Sequence, residues 1–456
     1  MADASAPTSA DPTGVAAKLQ ERAERVIPGT AVRKRIHLYD LLSDYPWYVE
    51  GGEGATVVDV DGRTFIDLMG SYGPNLLGHR HPAVELAATR QRSRGDSLGA
   101  QTPVAVELAE FLCDRIDPVD WVFVGKNGSD ATSYALRVAR LATGRSKVLI
   151  AEASYHTAHD WGTVFEAGVP PAHSGLTSRF VFNDVESLAA AVDAADGDVA
   201  AIMLTPFHQG YFETPAIPTE AFVAAVHSQA RRAGAVVVLD DVRGGMRMHP
   251  GGSSHAAIGL EPDLVCFADA LANGRALSVC GGSAALRDSA DQVGYLGTFF
   301  GSAVAQAACL ATFRAFDLEG AFEAMTTSGS RLATGLVAAA AAAGVAIEVT
   351  GTPTMAMISI EGDDWDRYLN HIWAAGMARR GVRIHPTQAW YMCAALTDEH
   401  VDAVVERAAG AFAEVAELST STTTEPLRHN HTPGATSPAA GGGSRTATTA
   451  DTSARA

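Results

Sequence analysis

Four short runs in the middle of the chain, 148–151, 199–204, 235–239 and 264–267, hold nothing but apolar residues, many of them β-branched. A strand with one wet face alternates polar and apolar residues. An unbroken apolar run of this length has to be covered on both faces. Longer helix-patterned stretches lie between the runs, such as 219–233 ahead of the third. Strand and helix in alternation predict an α/β fold with a parallel sheet between two layers of helices.

The flanks read differently. Residues 55–60 and 64–68 are β-rich and joined across Asp61-Gly62, a hairpin signal. Near the other end Thr397-Asp398-Glu399 has the form of an N-cap with an acidic first turn, and Val401, Val404, Val405, Ala408 and Phe412 mark one helical face. The expected organisation is an N-terminal extension, partly disordered, over 1–24, and a small α+β domain from 25–70 and 320–418. A large domain spans 71–319. From 419 to 456 the chain is a Ser/Thr/Gly/Pro-rich tail with almost no large apolar residue, expected to be disordered.

Composition narrows the function. Of the 456 residues, 52 are Asp or Glu and 34 Lys or Arg, a net charge of −18. This argues against nucleic acid and against anionic membrane surfaces, which both select clustered positive charge. The alanine-rich stretch 332–347 is too weakly apolar to span a bilayer, and Met1–Gly14 lacks the pattern of a secretory signal. Five scattered cysteines offer neither a disulfide framework nor metal-ligand spacing, and the His79-Arg80-His81-Pro82 segment has no third ligand. A cytoplasmic protein acting on a small molecule, without a metal, is expected.

Several residues have chemistry to offer. Asp240 ends the third apolar run, at the carboxyl edge where open α/β sheets bind ligands. A buried carboxylate there needs a donor, and Arg243 is one candidate; a plain strand-end salt bridge is the other reading. Lys126 to Thr132 (KNGSDAT) leads small and hydroxyl residues into a helix start, a site for an anion or an ordinary capped terminus. Ser129 is placed to donate a further hydrogen bond there. Tyr155-His156 follows the first run at the same edge.

In order, GATVVDVDGRTFID (Gly54 to Asp67), GPNLLGHRHP (Gly73 to Pro82), KNGSDA, ARLATGR (Ala139 to Arg145) and Tyr155-His156 resemble class III aminotransferases, in particular the glutamate-1-semialdehyde aminomutase-like branch. The resemblance spans about residues 25 to 415. It implies the type I fold of pyridoxal-phosphate (PLP) enzymes and a homodimer with the active site at the subunit interface. Gly128 and Ser129 then match the phosphate-binding turn and Tyr155 the ring that stacks on the pyridine. Asp240 matches the carboxylate at its ring nitrogen, and Thr298 the threonine that reaches the neighbouring subunit's phosphate.

One position departs from the pattern. Where the family carries its Schiff-base lysine, this chain reads Phe267-Ala268-Asp269-Ala270. The chain has only four lysines, Lys18, Lys34, Lys126 and Lys147, and none follows residue 147. A carboxylate cannot form an imine. Thr205 and Arg275-Ala276 also depart from residues common in the family. Lys126, at the phosphate end, would approach the wrong end of the ring to take over. The expectation is an aminotransferase- or aminomutase-like enzyme holding PLP or pyridoxamine phosphate (PMP) non-covalently, with Asp269 as acid/base. A cofactor-free enzyme on the same fold using Asp269, Asp240 or His156, and a non-catalytic partner protein, remain as alternatives.

Overall fold

The computed structural model describes residues 13–28, 44–165, 167–210, 213–364 and 366–420. Its centre is a seven-stranded sheet built from β4 (Trp121–Gly125), β5 (Lys147–Ala151), β6 (Thr177–Phe180), β7 (Val199–Leu204), β8 (Val236–Asp240), β9 (Leu264–Phe267) and β10 (Ser278–Gly282), in the order β4-β10-β9-β8-β7-β5-β6. The pairs β8–β9, β7–β8, β5–β7 and β5–β6 are parallel.

The apolar runs have two faces to satisfy. Val148, Ile150, Val236, Val238, Leu264 and Cys266 point to one core, where they meet Tyr134, Leu136 and Val138 of the helix Gly128–Thr143. Their neighbours Leu149, Val237, Leu239, Val265 and Phe267 point to the other, larger core. Alternation along each strand therefore exists, but both sides are dry.

One strand departs from the parallel expectation. β10 runs antiparallel to both β4 and β9. Its sequence, SVCGG, ends in two glycines, which weaken a strand. Space demands these glycines: a Cβ at Gly281 would sit 2.7 Å from Val119, and one at Gly282 would sit 2.2 Å from Trp121.

A second sheet joins distant parts of the chain. β1 (Val49–Glu53), β2 (Thr56–Asp59) and β3 (Thr64–Asp67) form an antiparallel meander, and β13 (Val382–Arg383) adds to β3 in parallel. At the β2–β3 turn, Gly62 takes a φ of +82° while the Asp59 carboxylate accepts from the backbone of Asp61 and Arg63. The hairpin β11 (Ile347–Thr352) and β12 (Met355–Ile360) packs with the helices Ala321–Ala342 and Tyr368–Arg379, and the helix Asp398–Thr420 packs against both of those helices.

A helix, Val15–Val26, lies largely within the N-terminal extension expected to be partly disordered. The last helix also continues through residues 419 and 420, the first two of the expected tail. Residues 1–12 and 421–456 lie outside the described ones. Among the described residues no helix is long and apolar enough to cross a membrane.

Candidate active site

The carboxyl ends of β5, β7, β8 and β9 open onto a cavity of about 880 Å³, with the start of the helix Gly128–Thr143 on its wall. Gly128, Ser129, Tyr155, Asp240 and Asp269 all line it. Five of the six residues singled out in the sequence thus come together. Thr298 does not: it is exposed in the segment after the helix Arg287–Gln292 and is absent from the cavity wall.

The helix start is held in place by local hydrogen bonds. The Asp130 carboxylate accepts from the backbone N–H of Asn127 at 2.7 Å and of Lys126 at 3.2 Å. Gly128 is where the helix meets the loop after β8, and a Cβ there would lie 2.9 Å from Val242. That close approach brings the helix N-terminus, with its free N–H groups, to the edge that carries Asp240. Ser129 Oγ accepts from the N–H of Ala158 at 2.8 Å, which leaves its own hydrogen to donate.

Asp240 is buried at the end of β8. Its direct partner is His156, with Nδ1 2.6 Å from Oδ2, rather than Arg243. Oδ1 accepts from the N–H of Val242 at 3.2 Å. Among the described residues His156 Nε2 is buried without a hydrogen-bond partner. The sequence flagged this histidine only as the neighbour of Tyr155, because 84 residues separate it from Asp240. Tyr155 stays half-exposed and meets Phe165 edge-on, with ring centroids 6.4 Å apart.

Asp269 opens the short turn Asp269–Ala272 directly after β9. Burial pushes its carboxyl up to about 7, against the attraction of Arg243 and Arg247 and with some help from Asp240. Arg243 also has Tyr391 as a neighbour, which favours its charged form. Arg247 is 1% exposed, has no hydrogen-bond partner for any guanidinium nitrogen among the described residues, and lies 5.4 Å from the Tyr391 ring centroid. Its desolvation lowers it to about 10. Neither arginine's closeness to Asp269 was legible in the sequence. Behind the site Asp241 is fully buried and pushed up to about 6 by desolvation, although Ser253 Oγ and the N–H of Ser254 donate to it.

Lys126 is the lysine on the cavity wall, and its ammonium lies 5.4 Å from the Phe299 ring centroid. Thr205 Oγ1 donates to the carbonyl of Phe207, and Arg275 pairs with Glu85 at 2.8 Å. His79, read as structural, is paired with Asp67 at 2.9 Å. Among the described residues no group of three His, Cys, Asp or Glu side chains is placed to hold a metal.

An anion site at a helix N-terminus, a buried carboxylate and an aromatic ring on one wall suit a planar, phosphorylated, nitrogen-bearing ring. The residues therefore fit such a group. No amine stands where Asp269 stands.

Comparison with known proteins gives a consistent answer. The family model "Aminotransferase class-III" matches residues 43–412. An aminopentol aminotransferase of Sphingopyxis macrogoltabida is 36% identical over 397 residues, 87% of this chain and 93% of that protein. A glutamate-1-semialdehyde 2,1-aminomutase of Desulforudis audaxviator is 31% identical, covering 87% of this chain and 97% of its own length. Among solved structures, the PLP internal aldimine form of the FumI protein of Sphingopyxis sp. MTA144 superposes with a TM-score of 0.84 at 36% identity, covering 89% of this chain and 97% of that one. A lysine-to-alanine variant of a Pseudomonas aeruginosa glutamate-1-semialdehyde aminomutase, in complex with PMP, gives 0.73 at 26% identity over 88% and 97% of the two chains.

Proposed function

The chain belongs to the class III aminotransferase family, and we propose that it acts on an amine-bearing small metabolite with PLP or PMP bound non-covalently. The observation that carries this reading is a cavity with anion, carboxylate and aromatic contacts present, and with Asp269 in place of an amine. The aminomutase variant that lost a lysine and holds PMP supports the idea that this architecture can keep the cofactor unlinked.

Bound cofactor supplies an electron sink for negative charge developed beside the reacting nitrogen. The backbone at Gly128 and Ser129, with the Ser129 hydroxyl, would hold its phosphate. Asp240 would hold the ring nitrogen, and Tyr155 would cover the ring. His156 hydrogen-bonds Asp240 from within the protein and keeps that carboxylate oriented. Asp269, with its pKa near 7, is suited both to release and to take a proton at its carboxylate oxygens around neutral pH. Arg243 and Arg247 temper that value by favouring the ionised form.

The His156–Asp240 pair at 2.6 Å also supports a second reading, a cofactor-free acid/base site. Absorbance titration of the purified protein with PLP and with PMP separates the two. Saturable binding that Asp240→Ala weakens supports the cofactor reading, and no binding by the native protein supports the other. The active unit is proposed to be a homodimer, with Thr298 acting across the interface.

A further inference from the structure

Away from Asp269 the cavity wall carries a second set of linked polar side chains. Ser154, in the loop after β5, places its Oγ 3.1 Å from His208 Nδ1. His208, in the loop after β7, places Nε2 3.2 Å from Glu213 Oε2. Ser154 and His208 line the cavity and are 3% and 5% exposed, whereas the Glu213 side chain is 54% exposed.

The histidine is fixed twice over. Its backbone exchanges two hydrogen bonds with Ala216, at 2.9 and 2.8 Å. Its ring stacks on Phe182, with centroids 4.4 Å apart and planes 16° from parallel. The hydrogen bond from His208 holds the Glu213 carboxyl below its ordinary value, so it is ionised and accepts from Nε2–H. In the neutral ring with its hydrogen on Nε2, Nδ1 is the acceptor for the Ser154 hydroxyl hydrogen. The lone pairs of Ser154 Oγ are then left to accept, with a carboxylate charge behind them.

Strand order sets the distance from the reacting end. β5 stands three places from β9, which bears Asp269, in the order β9-β8-β7-β5. At about 4.8 Å per strand, the strands β5 and β9 stand roughly 14 Å apart. We infer that Ser154, backed by His208 and Glu213, is a second polar subsite that receives a hydrogen-bond donor at the far end of the substrate, a hydroxyl or a protonated amine. The substrate class is then a chain with its reacting amine at one end and such a donor at the other. This rests on the reading of the cavity as an amine-processing site. Ser154 is the binding residue, and His208 and Glu213 position it.

The test is calorimetric titration of the protein, with and without PMP, using 1-aminoalkanes, ω-amino alcohols and α,ω-diaminoalkanes of matched chain lengths. At the longer lengths the amino alcohol or the diamine binds about tenfold more tightly than the plain amine, the value of one hydrogen bond. A gain for the diamine alone assigns a protonated amine, and a gain for both assigns hydrogen-bond donors generally. Ser154→Ala removes the preference and Ser154→Thr retains it. The ring resonances of His208 in the NMR spectrum shift with the functionalised ligands and not with the plain amine, a response that a purely structural histidine would lack. No preference in the native protein, or a preference that survives Ser154→Ala, overturns the subsite. Failure of PMP to bind, with the preference intact, overturns the cofactor reading alone.

Discussion

Replacing Asp269 by Asn removes an ionisable proton while keeping size and shape, and its effect on stability should depend on pH. The Asp269 carboxyl rises from 3.8 to about 7 on folding. A raised acid is favoured in its neutral form by the fold. The native protein therefore loses stability as pH rises from about 4 to about 7, and the loss is constant above that. About three pH units at roughly 1.4 kcal/mol each set an upper bound of about 4 kcal/mol. The attractions of Arg243 and Arg247 are already contained in that net value. The neutral amide of the variant carries no such penalty, so Asp269→Asn should match the native protein near pH 4 and exceed it by up to about 4 kcal/mol at pH 8. Urea denaturation at a series of pH values and fixed protein concentration measures the difference. Activity moves the other way, with a loss of roughly two to four orders of magnitude expected for an acid/base group. A stability gap that stays constant from pH 5 to pH 8 would refute the account of Asp269, whatever the activity.

Other perturbations should act through the same neighbours. Arg247→Met removes a cation that favours the Asp269 carboxylate, so the activity limb near pH 7 should move to higher pH; a pH–rate profile reads the shift. Asp269→Lys leaves three cations together, and should cost about 3 to 5 kcal/mol of stability in urea unfolding. It should nonetheless let borohydride fix PLP to the peptide containing position 269. Gly282→Ala drives a Cβ into Trp121 and should lower the thermal midpoint markedly, with little expression of folded protein if β10 cannot shift. Sedimentation should find a dimer, and a monomer that still binds the cofactor tightly would remove Thr298 from the site.

The strands that declared themselves in the sequence are those with two apolar faces. Val199–Leu204 has no polar residue, and burial on both sides is the only environment that suits it. β10 was hidden because Gly281 and Gly282 are there for lack of room against Val119 and Trp121, and a clash with a distant residue leaves no local signal. Thr177–Phe180 lies at the sheet edge, where one polar side is tolerated, so it lacks the continuous run. The site divides in the same way. Asp240 was legible because strand ends in α/β sheets have a predictable place. His156 as its partner, Arg247 beside Asp269, and the Ser154–His208–Glu213 set each depend on loops brought together by strand order. Spacing in the sequence does not encode that proximity.

The central claim is that the cofactor is held without a covalent bond to the chain. Its most direct test is the intact mass of the native protein after saturation with PLP, borohydride reduction and denaturation. The account predicts the unmodified mass, with all of the cofactor released. A stoichiometric mass increase of one reduced cofactor, mapped to Lys126, would contradict it and would place the linking amine at the mouth of the helix Gly128–Thr143.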